Sequence, residues 1–187
     1  GGRGNTMYIL RAFVEADVKG AVVGIIFDPA LAAEAHALGE GGNFRARFNR
    51  SETQEFSEKF EADAVVERLS DGQIVGRRGI SAGRAINLGP TALLAIGGVR
   101  VVVVSERRQL ADPNMVEHLG IDLAKARSLM VKSRGHFRAG FDEFFAGERI
   151  IEVDVPGLTT VVLSRVPWKH VPRPIWPLDP DVAWQPA

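Results

Sequence analysis

"AVVGIIFDPALAAEAHALGEGG", residues 21–42, decides the fold. Residues 21–28 form an almost unbroken apolar run of strand length. A strand with one wet face alternates apolar and polar side chains, so an unbroken run predicts a strand covered on both faces. Residues 29–42 open with Pro29 at a first-turn position and close in glycine, the ordinary asymmetry of a helix. A buried strand that feeds directly into a helix is the repeating unit of an α/β protein.

The flanking sequence extends this reading. Upstream, Asn5 or Thr6 can cap a helix running to about Ala16, with Ile9, Leu10, Phe13 and Val14 on its apolar face. Downstream, "NFRARFN" (43–49) alternates as a half-exposed strand would. The middle of the chain is β-rich. "EADAVVERLS" and "QIVGRR" flank Asp71–Gly72, and "TALLAI" and "VRVVVVSE" flank Gly97–Gly98, which predicts two β-hairpins with two-residue turns. A short helix capped by Asp112 is expected over 112–120, a short buried strand over 126–133, an amphipathic helix over 136–145 with Phe137, Phe141 and Phe144 at helical spacing, and a strand over 149–156. Residues 167–187 hold all three tryptophans and are rich in proline, which removes the N–H that ladders need. They read as an extended tail whose aromatics anchor it to the body or to a partner. The expectation is a single α/β domain over 1–187: a mixed β-sheet with packed helices, two β-hairpins and a Pro/Trp-rich extended C-terminal tail.

Composition narrows the function classes. With 187 residues, 45% of them hydrophobic, the chain can bury one sizeable core and is short for two domains. Lys plus Arg and Asp plus Glu both total 23, without a basic block, which argues against nucleic acid and anionic membrane as partners. No apolar run approaches the roughly 18 residues of a membrane-spanning helix. Cysteine is absent, which rules out disulfides and thiolate chemistry and fits a cytoplasmic protein. The chain begins "GGRGNTMYILRAFVEA", with neither an initiator Met nor a signal-peptide pattern, so a piece of a longer polypeptide is expected.

Three features bear on chemistry. The histidines, His36, His118, His136 and His170, are scattered, and no His-Glu-x-x-His, His-x-His or Asp-x-His occurs. His36 and Glu34 stand about 200° apart on a helix, so they do not share a ligand sphere easily. A complete metal site within this chain is therefore not expected. The loop "GGRGNT" (1–6) could form a nest of N–H groups for a carboxylate or phosphate, although it lacks the Lys-Ser/Thr of a P-loop and no strand precedes it. Finally, the turn "KSRGH" (132–136) follows a predicted strand, where α/β proteins gather their ligands. There Arg134 could pair with a substrate carboxylate and His136 could donate a proton or polarise a carbonyl. The alternative for this turn is a cap, with Ser133 satisfying helix N–H groups while His136 packs.

The stretches "GGRGNTMYILRAFVEA", "AVVGIIFDP", "LGPTALLAIGGVRVVVVSER", "KSRGHFRAGF" and "RPIWPLD", in this order over nearly the whole chain, resemble the C-terminal domain of the MlrC family, microcystin-degradation proteins classed as zinc metallopeptidases. The resemblance implies a hydrolase of peptide or amide bonds whose catalytic zinc is held by a larger N-terminal domain absent from this chain. That domain and a small peptide or amide substrate would then be the partners. It also implies that this chain is inactive alone and forms one wall of the cleft, faced by the "GGRGNT" loop and the "KSRGH" turn; from their chemistry Asn5, Thr6, Ser133 and Arg134 are expected to bind substrate and His136 to act in catalysis. Toxin degradation belongs to a few members, so the substrate does not follow from the family. The other reading makes the chain a structural or oligomerisation module, its partner a second copy.

Overall fold

β1 (Ala21–Phe27) is buried except at its last residue. In the computed structural model, which describes residues 5–53, 55–133, 135–157, 160 and 162–183, it runs parallel to β7 (Val99–Val104) on one side and β8 (Ser128–Val131) on the other. With β2 (Asn43–Phe48), β3 (Phe60–Ser70) and β6 (Thr91–Ile96) these make a six-stranded mixed sheet in the order β2-β3-β6-β7-β1-β8, antiparallel from β2 through β7. β4 (Gln73–Val75) and β5 (Ala85–Asn87) form a separate two-stranded ribbon.

Each face of the sheet has its own cover. Val23 and Ile26 of β1, with Val101, Val103 and Leu94, pack against α1 (Tyr8–Glu15) and α2 (Pro29–Leu38) through Leu10, Leu31 and Ala35. Val22 and Ile25, with Val102, Val104 and Leu93, pack on the opposite side against α3 (Asn114–Glu117), α4 (Arg138–Phe141) and the segment between them, through Met115, Val116, Leu123 and Phe141. Burying each such aliphatic side chain contributes about 1.5–3 kcal/mol, so a strand covered twice must be apolar at every position.

The expected α/β class and the β6–β7 hairpin are what the structure shows. Ile96 faces Val99 across Gly97–Gly98, and Gly97 has φ +56°, as a tight turn between twisted strands requires. The other expected hairpin is a correction. β3 is bonded to β2 along one edge and β6 along the other, and a strand has only two edges. Residues after Gly72 therefore leave the sheet and pair Gln73–Val75 with Ala85–Asn87. Asp71–Gly72 still turns the chain, with the Asp71 carboxylate accepting Gln73 N at 2.9 Å.

Helix lengths also differ from expectation. α2 ends at Leu38, where Gly39 takes φ +80°. α4 spans four residues rather than 136–145, yet Phe141 is buried and Phe137 and Phe144 pack on the same cluster. The aromatic spacing thus marked the buried side. The backbone there is fixed instead by close approach, since a Cβ on Gly140 would sit 2.4 Å from the Ala111 carbonyl oxygen. Residues 149–156 form no strand: a 3-10 turn covers Gly147–Arg149, and Ile151 beyond it is 85% exposed. Their apolar-polar alternation has no neighbouring strand to pair with among the described residues. The described part of the tail is irregular and tied locally, Trp168 Nε1 donating to the Leu163 carbonyl at 2.8 Å and Arg173 pairing with Asp179. Trp176 is 71% exposed and so does not anchor the tail to the body, and Trp184 lies outside the described residues.

Asp28, immediately after β1, is buried and satisfies two backbone donors. Oδ1 accepts Leu31 N at 3.0 Å and caps α2, while Oδ2 accepts Asn49 N at 2.8 Å. Asp28→Ala is expected to destabilise the fold by about 2–4 kcal/mol in urea unfolding, a lost cap plus an orphaned buried N–H. A loss below about 0.5 kcal/mol would show that neither bond matters.

Candidate functional site

The parallel strands β7, β1 and β8 end on one side of the sheet, and the chain leaving each carries polar groups. After β1 comes Asp28. Its neighbour Asn49, at φ +56°, donates from Nδ2 to the Asn5 carbonyl at 2.6 Å and to the Glu58 carbonyl at 2.9 Å. These bonds hold the residues that precede α1 against the end of β1. Asn5 is 1% exposed, and neither atom of its side-chain amide has a partner among the described residues. It does not cap α1 and neither does Thr6: the helix starts at Tyr8 with Met7 at the N-cap position and no side-chain cap, because Asn5 is held by Asn49 and Met7 is drawn into the core. Thr6 is half-buried between them. Of the loop "GGRGNT", residues 1–4 lie outside the described residues.

After β7 and β8 come the residues that meet at the "KSRGH" turn. Gln109 Nε2 donates to Ser133 Oγ, and Gln109 Oε1 lies 3.4 Å from His136 Nδ1. One amide thus bridges Ser133 and His136, and its oxygen can only accept, which favours the tautomer protonated at Nδ1 and leaves Nε2 as the basic nitrogen. His136 is exposed. Ser133 is occupied by Gln109 rather than by helix N–H groups, so the capping alternative does not describe this turn. Arg134 lies outside the described residues. The structure therefore joins Ser133 to His136, and Asn5 to Asp28 through Asn49; no hydrogen bond links Asn5 or Thr6 to Ser133 or His136 among the described residues.

Lys132 was not singled out from the sequence. Its ammonium is buried without a partner among the described residues, and burial first, then the charge of Arg107, lowers its pKa to about 8. Arg107 itself lies over the Phe27 ring at 4.2 Å, at the end of β1. The available sequence signal was position: Lys132 immediately follows β8, which covers Ser128–Val131 and is half-buried at the sheet edge rather than the buried strand expected over 126–133.

The remaining histidines have structural roles or none visible. His36 Nε2 is 3.1 Å from the Thr91 carbonyl, His118 Nδ1 is 2.7 Å from the Asn114 carbonyl, and His170 is exposed. Among the described residues no three His, Asp or Glu side chains gather as metal ligands, so the residues present do not fit a resident zinc. No helix of the described residues is long and apolar enough to cross a membrane.

The α/β sheet thus collects polar side chains at the carboxyl ends of its parallel strands, the edge where proteins of this architecture commonly bind ligands. The chain belongs to the MlrC C-terminus family, whose model matches residues 1–170. It is 24% identical over 181 residues to Microcystinase C from a Sphingomonas species, covering 96% of this chain and 34% of that protein. It also superimposes on the crystal structure of a candidate metallopeptidase from Mesorhizobium sp. BNC1 with a TM-score of 0.77 and 26% identity, covering 98% of this chain and 36% of that one. The chain thus spans about a third of the length of these relatives.

His118 generates a pH prediction. Burial lowers its pKa below 6.5, against a smaller opposing effect from the Asn114 carbonyl and the Asp71 charge. The unfolded chain therefore binds this proton first as pH falls, and stability is lost below about pH 6.5. Thermal melts between pH 7.5 and pH 5.5 should show a falling midpoint that His118→Gln makes shallower, to the extent of about one ionisation. An unchanged slope in the variant would place the acid sensitivity elsewhere.

Proposed function

We propose that this chain is the cleft-forming, substrate-binding C-terminal part of an MlrC-like metal-dependent hydrolase of peptide or amide bonds. The observation that carries the reading is the Ser133–Gln109–His136 bridge, exposed at the carboxyl ends of the parallel strands. Membership of the MlrC C-terminus family and the likeness to a microcystinase and a candidate metallopeptidase support a hydrolase-associated domain. In this reading the metal, zinc by family resemblance, is held by the part of the longer protein that this chain does not span, and the 187-residue chain alone is inactive.

The roles that follow belong to this chain's own residues. Ser133 and Arg134 bind polar groups of the substrate. His136, with Nε2 open to solvent, holds or donates a proton at the substrate carbonyl or leaving nitrogen. Asn5 and Thr6 line the same wall from the loop before α1.

In the full-length protein, His136→Ala and Ser133→Ala should lower kcat/KM on short peptides by about 10–100-fold with the thermal midpoint held within about 2 °C. Unaltered kinetics in both variants would reject the site. The exposed Ile151, Val153 and Trp176 favour a second reading, in which this arm packs on another part of the longer protein or on a second copy and the turn has no role in chemistry. That reading expects both variants to keep full turnover.

A further inference from the structure

The other cations of the chain show what is unusual about Lys132. Lys125 pairs with Asp122 at 2.9 Å and Lys19 with Asp17 at 2.5 Å, both in the open, where such pairs cost little and add little. Arg77 and Arg78 are shared between Glu117, Glu143 and Asp142. Lys132 has the reverse arrangement. Its Nζ is removed from water, no carboxylate pairs with it among the described residues, and the nearby charge acting on it, Arg107, has its own sign. Desolvation and like-charge repulsion both oppose an ammonium, and among the described residues no side chain pairs with it to offset them.

Such an arrangement is costly for folding and useful for binding, because a single anion placed beside the ammonium reverses both penalties at once. The location agrees. Lys132 follows β8 at the carboxyl end of the parallel strands, its next neighbour Ser133 is half-buried, and Gly135 and His136 beyond it are exposed. The residue thus stands beside a turn that is open to solvent at Gly135 and His136. Phe27 fixes the Arg107 guanidinium from the β1 side.

The geometry points to Lys132 as the anchor of a carboxylate-binding subsite, assisted by Arg107, that takes the carboxylate of a short peptide or amino-acid ligand. A carboxylate suits it better than a phosphate. α4 has only four residues, so the turn lacks the long helix N-terminus whose converging N–H groups cradle a doubly charged anion. A planar, singly charged group is what one ammonium and one guanidinium match. This inference rests on the reading of the turn as a substrate-facing wall, and it gives that wall a substrate class: ligands that end in a free carboxylate near the reacting bond.

The test is NMR of the 187-residue chain labelled at the lysine ε-carbons, with the resonances of lysines 19, 59, 125, 132 and 169 assigned by substitution. The probes are sodium N-acetylglycinate, its neutral methylamide and inorganic phosphate. N-acetylglycinate should shift the Lys132 resonance saturably and raise its titration midpoint, while the methylamide leaves it in place. Lys132→Met should weaken the carboxylate by at least about tenfold with the other lysine resonances unmoved, and Lys132→Arg should restore binding to within about threefold of the parent. No saturable response at about 100 mM, an equal response to the methylamide, or tighter binding of phosphate would overturn the proposal. The two readings fail separately. Carboxylate binding at Lys132 alongside turnover indifferent to His136→Ala would keep the anion site and reject the cleft wall. Turnover sensitive to His136→Ala with a silent Lys132 would do the opposite.

Discussion

Everything in this domain is organised by the double covering of β1. Its side chains enter two separate clusters, Val23 and Ile26 under α1 and α2 and Val22 and Ile25 under α3 and α4, the alternation slipping at the irregularity between Val23 and Ile26. Hydrophobic stabilisation scales with area removed from water, so a strand in this position has no face to spare for polar residues. The polar work is displaced to its end. Asp28 takes the first position beyond the sheet, caps the helix that follows and holds Asn49, which in turn holds Asn5. The fold thereby places polar groups at the carboxyl edge because the interior excludes them.

That edge is built from two kinds of polar group. Asp28 and Asn49 are saturated with backbone partners, and their function is to hold chain segments in place. The Asn5 amide and the Lys132 ammonium are buried without partners among the described residues, which costs stability at each. Gln109 stands between these classes: it orients Ser133 and His136 while leaving the imidazole open to solvent. A rigid, satisfied frame carrying a few unsatisfied side chains is what the proposed substrate-facing wall would require.

The parts of the fold that depend on local pattern were legible in the sequence. Residues 21–28 declared a doubly covered strand, and Gly97–Gly98 declared the β6–β7 turn. Patterns that need a partner elsewhere were not legible. Residues 61–70 and 73–78 look like the arms of a hairpin, but the pairing is decided by competition for the edges of β3, which β2 and β6 win. Residues 149–156 alternate like a strand and have no neighbour to pair with among those described. The aromatic spacing at 137, 141 and 144 found the buried side and missed the helix length, because contact of Gly140 with residue 111 fixes the backbone there. The site divides in the same way. Ser133 and His136 were visible as chemistry in a turn; Gln109 and Lys132 matter through who does or does not face them, which only three-dimensional placement reveals.

The arm beyond α4 has a consequence of a different kind. Ile151, Val153, Ile175 and Trp176 are open to solvent on a chain whose formal charge is zero at pH 7. Colloidal stability depends on mutual repulsion, and near neutral pH that repulsion is weakest while these apolar side chains stand exposed. Encounters between copies are then governed by short-range attraction along the arm. Such a chain is best handled away from its isoelectric point, where repulsion between copies opposes contact through these exposed side chains.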